Sequence, residues 1–236
     1  MEIAVSHIRQ ITTIEGVLQH LRDTGHSYGV VRQSYHFTPL FHSPVSADTI
    51  IYAEGFDEAW TKLYFNKDFR ARDPIPAWTL KHAGLLAWKD AIAAHDPTPD
   101  QAEYFAQMEA FGLIHGFGLP LYGPNNRVAY VAFDFGRPIC DEDKLTIDML
   151  RAVAQAGHLR ICEIIDGEHE IPDLSERELE VMMWIARGKS GTDIATILGL
   201  SPETVKTYTR RIYEKLEVGD KVGATVKALK LGLVTV

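Results

Sequence analysis

The stretch DGEHEIPDL, residues 166–174, divides the chain into two unlike patterns. Before it, segments with the two-residue alternation of strands interleave with segments of helical spacing; after it, every stretch reads as helix. Glycine, proline and four acidic residues within nine positions support neither period. A linker is therefore expected over 166–173, between a domain at 1–165 and another at 174–236. With 236 residues, 46% of them hydrophobic, both parts are long enough to bury a core.

In the first part, YGVVRQSYHF (28–37), DTIIYA (48–53), GFGLPLY (116–122) and RVAYVAFDF (127–135) are predicted strands. The last two are joined by a GPNN turn at 123–126. Helices are predicted over 8–24, 56–69, 99–112 and 142–165. In the last of these, Leu145, Met149, Leu150, Val153 and Ile161 recur at helical spacing. Strands interleaved with helices imply an α/β/α sandwich, a sheet flanked by helices.

The second part reads as four helices. Ser175 with Glu178 forms a capping box, Gly188 closes the first helix, and Thr192 is the expected cap of a short second helix ending at Gly199. Ser201 caps the third, with Pro202 at its first position, where a missing N–H costs nothing. A fourth runs from about Asp220 to Lys230 and stops at Gly232. On the third helix Val205, Ile212 and Leu216 share one stripe, with Tyr208 and Thr209 at its margins, and Lys206, Thr207, Arg210 and Arg211 project opposite. A short helix, a tight turn and this helix make a helix-turn-helix. From charge alone, the basic front fits a solvated bundle face as well as a DNA-reading one.

Charge is shared unevenly. The net charge is −8, yet from Ile171 onward ten Lys and Arg face nine Asp and Glu, so the acidic excess lies in the first 170 residues. A polyanion would be met by the last quarter. No apolar run approaches the roughly 20 residues of a membrane span, and a soluble cytoplasmic protein is expected. Cys140 and Cys162 are too few for a disulfide framework or a zinc site. No HExxH, GxSxG or P-loop occurs; the GKS at 188–190 lacks the glycine five residues earlier, where Met183 stands. Catalytic, metal and cofactor sites are accordingly not expected, nor is a phosphorelay receiver, since the early acidic pair for magnesium is missing.

Residues 174–218, LSERELEVMMWIARGKSGTDIATILGLSPETVKTYTRRIYEKLEV, closely resemble the DNA-binding domain of the LuxR family. The resemblance rests on Glu178, Trp184, Gly188, Lys189, Asp193-Ile194-Ala195, Thr204-Val205-Lys206 and Lys215-Leu216. Two departures are Met182 for the usual leucine and Tyr208 for a common histidine. The resemblance implies duplex DNA as partner, contacted through Thr204, Lys206, Thr207, Arg210 and Arg211, and a homodimer reading paired half-sites, with RNA polymerase a further partner.

FDEAWTKLYFNKDFRARDP (56–74), LLAWKD (85–90) and FGLIHGFGLPLYG (111–123) are similar to the autoinducer-binding domain of the quorum-sensing branch, on Trp60, Tyr64, Asp73, Pro74, Trp88 and Gly116. That likeness implies a small-molecule signal, an N-acyl homoserine lactone. A buried carboxylate such as Asp73 accepts hydrogen bonds only and suits the ligand's amide N–H, while the Trp60 indole N–H suits the lactone carbonyl. Tyr64, Trp88 and Phe56 would supply apolar walls, and Gly116 close backbone approach. The family usually has tyrosine where Phe56 stands and often a small hydroxyl near Ala132. Without both, the acyl carbonyl needs another donor, and His36, Tyr35 and Tyr130 are the candidates. The alternative is an orphan regulator that responds to a different small molecule or acts without one. The 142–165 helix is the expected dimer contact, or else a buried intramolecular helix.

Overall fold

The computed structural model describes residues 7–39, 42, 46–82, 84–167 and 172–235. The chain divides into two compact units at Asp166 and Gly167. Residues 168–171 of the expected linker lie outside the described residues, and a helix continues to Gly167, past the predicted end at 165.

The first unit contains α1 (Ile14–Ser27), β1 (Arg32–Phe37), β2 (Ile50–Glu54), α2 (Glu58–Phe65), the single turn α3 (Lys67–Arg70), α4 (Ile75–Lys81), β3 (Leu86–Ala87), α5 (Trp88–Ala94), α6 (Pro99–Ala110), β4 (Phe117–Tyr122), β5 (Val128–Asp134) and α7 (Lys144–Gly167). The five strands form one antiparallel sheet in the order β2-β1-β5-β4-β3. Alternation assigns its two faces. Tyr35, Phe37, Phe117, Leu119, Leu121, Val131 and Phe133 pack with Val17 and Leu21 of α1 and Leu150, Val153 and Ile161 of α7. Tyr130 and Ala132 pack on the other face, with Trp60, Tyr64, Ile75, Trp88, Tyr104 and Met108 from α2 and α4–α6. This is the α/β/α sandwich.

Several boundaries differ from the sequence expectation for local reasons. The expected 8–24 helix is interrupted: residues 7–8 are helical, and a new helix starts at Ile14, where the Thr13 side chain accepts from the Gly16 N–H. It runs on to Ser27, and the next strand waits until Arg32, since the Tyr28 N–H bonds back to the helix and Gly29 has a positive φ of 83°. The 56–69 helix breaks at Asn66, whose side chain caps α3 by accepting from Asp68 and Phe69. Short α4 and α5 and the two-residue β3 carried too few periods to be read. On α7, Leu145 leaves the expected stripe at 74% exposure; the buried stripe is Ile147, Leu150, Val153, Ala154, Gly157 and Ile161. That stripe faces the sheet, which answers the intramolecular half of the expectation for this helix.

The second unit is α8 (Glu176–Ala186), α9 (Gly191–Leu198), α10 (Pro202–Lys215) and α11 (Lys221–Lys230) around Val181, Met182, Ile185, Ile194, Val205, Ile212, Leu216 and Ala224. The Ser175–Glu178 capping box is present. Ser190, rather than Thr192, caps α9, exchanging hydrogen bonds with Asp193. No described helix is long and apolar enough to cross a membrane.

Candidate signal chamber and nucleic-acid interface

In the first unit, the sheet face carrying Ser34, His36 and Tyr130 meets α2, α4 and α6 around a chamber that Phe56, Trp60, Tyr64, Asp73, Trp88, Tyr104 and Leu113 also line. Period-two alternation decides the three candidate donors. His36 and Tyr130 face the chamber. Tyr35 points through the other face, its hydroxyl 2.8 Å from Nδ1 of His158, and is excluded.

The polar groups are wired toward Asp73. The Tyr64 hydroxyl donates to Asp73 Oδ2 at 2.8 Å, the Ile75 N–H donates to Oδ1 at 2.9 Å, and Tyr104 adds a third hydrogen bond. Asp73 is half-buried and lines both the chamber and the cavity beside it. Burial raises its carboxyl to about 6, against the lowering effect of these three donors. Burial, and then the Asp73 charge, hold the hydroxyls of Tyr64 and Tyr104 well above the ordinary phenol value, so both are neutral donors. Because the Tyr64 hydrogen goes to Asp73, its oxygen accepts from His36 Nδ1–H, 3.3 Å away. That tautomer leaves Nε2 to accept from the Ser34 hydroxyl at 3.1 Å. Burial, with the Arg70 charge, pushes His36 down to about 3, and it stays neutral.

Two N–H groups differ in availability. Trp88 donates to the Tyr130 hydroxyl at 3.0 Å. Trp60, 5% exposed, lines the chamber and makes no hydrogen bond among the described residues. Tyr130, having accepted from Trp88, keeps its own hydrogen to give.

Gly116 does not line the chamber. A Cβ there would lie 2.4 Å from the Trp88 ring, so this glycine seats the indole instead of admitting a ligand. Ala132 is also behind the wall, buried beside Ser34, its register partner on β1. The small hydroxyl missing at 132 is thus present on the adjacent strand. Tyr104 and Ser34 escaped the sequence reading: Tyr104, with Phe105 and Met108, reads as an apolar helix stripe, and Ser34 acquires meaning only from strand pairing.

The free volume of the chamber is about 40 Å³, and a neighbouring cavity of about 170 Å³ shares His36, Tyr64, Asp73 and Tyr130 with it. Ligand sites commonly measure about 300–1,000 Å³, so a signal molecule fits only if the aromatic walls withdraw.

In the second unit, Gly199 takes the left-handed conformation (φ 64°) that turns the chain from α9 into α10, and the Ser201 hydroxyl caps α10 by accepting from the Thr204 N–H at 3.1 Å. Val205, Ile212 and Leu216 are buried. Lys206, Thr207, Arg210 and Arg211 are exposed together on the opposite side. Thr204 is half-buried and its hydroxyl is 2.7 Å from Ser201 Oγ, which ties it to the cap. The Thr207 hydroxyl donates to the Glu203 carbonyl at 2.9 Å and keeps its acceptor capacity. Arg210 has only a loose 3.8 Å contact with Glu214. Behind the face, buried Glu178 accepts from Lys215 Nζ at 2.7 Å and from the Ser175 N–H at 2.8 Å. Burial pushes the Glu178 carboxyl up, but these partners outweigh it and hold it below the ordinary value.

Comparison with known proteins matches residues 13–161 to the family described as the autoinducer binding domain, and residues 172–228 to the bacterial regulatory proteins of the luxR family. The TraR transcriptional activator of Agrobacterium vitis is 24% identical over 99% of this chain and 100% of its own length. A putative HTH-type regulator of Sinorhizobium fredii, y4qH, is 29% identical over 76% of this chain, a match spanning only 55% of that protein. Among solved structures, Escherichia coli SdiA aligns over 100% of this chain and 98% of its own, with a TM-score of 0.73 at 21% identity, and shares the fold. SdiA has also been solved in complex with octanoyl-rac-glycerol.

Proposed function

The chain belongs to the LuxR-type quorum-sensing transcriptional regulators with an autoinducer-binding domain, and from that premise we propose that an N-acyl homoserine lactone is its signal and a palindromic promoter site, read as a homodimer, its target. These regulators are DNA-binding proteins and not enzymes. One observation carries the lactone reading: a carboxylate, Asp73, and an indole, Trp60, whose N–H has no hydrogen-bond partner among the described residues, line the same aromatic chamber. A ligand amide donates to the first, and a lactone carbonyl accepts from the second. Tyr130 and Ser34 then supply the donor that Phe56 lacks, Tyr130 being better placed because its hydrogen is uncommitted.

Walls that must move to admit the ligand couple binding to repacking of this unit. Ligand at 100 times its dissociation constant stabilises the folded state by about 2.7 kcal/mol. In DNA binding, Lys206, Arg210 and Arg211 neutralise phosphates or read guanine edges, and Thr207 approaches the bases. Thr204 acts indirectly, by holding the start of the helix. Leu145 and Leu159, exposed on α7, are the apolar positions open to a second copy of this chain.

The test is a thermal melt of the full chain with lactones of graded acyl length and with an acyl glycerol, followed by titration onto palindromic duplex DNA. A rise in melting temperature with one lactone series, and tighter DNA binding in its presence, is the expected result. A rise with the acyl glycerol alone moves the chain to a regulator of another acyl signal, and no rise with any ligand makes it an orphan.

A further inference from the structure

The cavity beside the chamber is lined by a cation with no counter-ion among the described residues. Arg70 ends the single turn α3, three residues before Asp73, and exposes only 9% of its surface. Its side chain lines the 170 Å³ cavity together with His36, Thr38, Tyr64, Asp73 and Tyr130. Its Nε has no hydrogen-bond partner, and no ion pair to its guanidinium occurs among the described residues. Asp73 lines the same cavity but makes no ion pair with Arg70, and the guanidinium is not among the groups that shift its carboxyl. Buried arginines are ordinarily paired, and an unpaired one carries an uncompensated desolvation cost. A planar fork of donors in the wall of this cavity matches a carboxylate, which it binds bidentately.

We propose that Arg70 is a second anchor of the signal site, and that the ligand carries a carboxylate received by this guanidinium at a point separate from the donor held by Asp73. The inference rests on reading the chamber as the signal site and extends it: the ligand is an acyl compound with one acidic end. The acid resides either at the far end of the acyl chain or on the head group, as when a lactone ring is opened to the hydroxy acid.

Three probes separate these sources: N-octanoyl homoserine lactone, which is neutral; its ring-opened N-octanoyl homoserine; and a homoserine lactone acylated with octanedioic acid, whose distal carboxylate is free. Binding to the full chain is measured by calorimetry, for the unaltered protein and for Arg70→Gln and Arg70→Lys. One carboxylate probe should bind at least about tenfold tighter than the neutral lactone, as a charge-assisted bidentate contact requires. Arg70→Gln should abolish that preference, and Arg70→Lys should keep part of it. A separate reading needs no ligand: Arg70→Met, which removes the unpaired charge, should raise the melting temperature of the free protein. The proposal is overturned if the neutral lactone binds as tightly as both acids, or if Arg70→Gln retains the preference. Binding of a carboxylate probe but not of the neutral lactone supports Arg70 and removes the simple lactone reading. Binding of the neutral lactone alone does the reverse, and binding of none sinks both.

Discussion

The helical unit and the chamber of the sensing unit each hold a carboxylate, and the two are treated oppositely. Glu178, in the helical unit, is 3% exposed and has a lysine and a capped backbone N–H on it, so its charge is answered and it is the more acidic for it. Asp73, in the sensing unit, has neutral donors and no ion pair among the described residues, and burial raises it to about 6. Trp60 and Arg70 repeat the pattern of unmatched groups around the same space. A region that satisfies every buried charge is built for stability, whereas one that leaves donors, acceptors and a cation unmatched has sacrificed stability to a molecule that is to complete it.

The contrast is broken most directly at Glu178. Replacing it with alanine removes the lysine contact and half of the capping box, and should destabilise the chain by about 3 kcal/mol in urea titration. A loss under 1 kcal/mol would mean that the helical unit does not depend on this pair. Gly116→Ala comes next: a methyl group 2.4 Å from the Trp88 ring forces the indole off Tyr130 and should cost about 2 kcal/mol, with loss of any ligand-induced thermal shift. Unchanged ligand binding would place the site elsewhere.

Asp73→Asn should act in the opposite sense. The folded protein holds the Asp73 proton more tightly than the unfolded chain does, so its contribution is most favourable below about pH 4 and is lost as pH rises through about 6, up to about 3 kcal/mol in all. At neutral pH the asparagine variant should therefore be more stable by about 1–2 kcal/mol, while signal affinity falls at least about tenfold. Melting curves across pH 4 to 8 check this, and a variant less stable at pH 7.5 would contradict it. Glu178 gives the mirror image. Its stabilisation is present above the ordinary value of 4.5 and is lost as pH falls below it.

The smallest effect on stability belongs to the basic face. Arg210→Ala should change folding by less than about 0.5 kcal/mol, yet lower DNA affinity and reduce the slope of log affinity against log salt by about one. An unchanged slope would remove Arg210 from the phosphate contacts.

The helical unit was readable because its signals are local. Ser175 and Glu178, Gly199, and Ser201 with Pro202 each act within four residues, and the basic front follows from helical spacing alone. The one error, Thr192 for Ser190, is a choice between two hydroxyls two residues apart. The chamber was legible only as a set of residue types. Arg70 lies in FNKDFRARDP, whose alternating charge gives no sign of burial, and it ends the single turn that Asn66 caps.

Thus the sequence alone determined the order of elements, the division near 166, the capped helices and the residues Trp60, Tyr64, Asp73 and Trp88 as chamber candidates. Tertiary structure decided that His36 and Tyr130 face the chamber while Tyr35 does not, that Ser34 stands beside Ala132, and that Gly116 serves Trp88. The physical reason is the strand period of two: it fixes which residues share a face, but which face becomes the chamber is set by helices packed from distant parts of the chain.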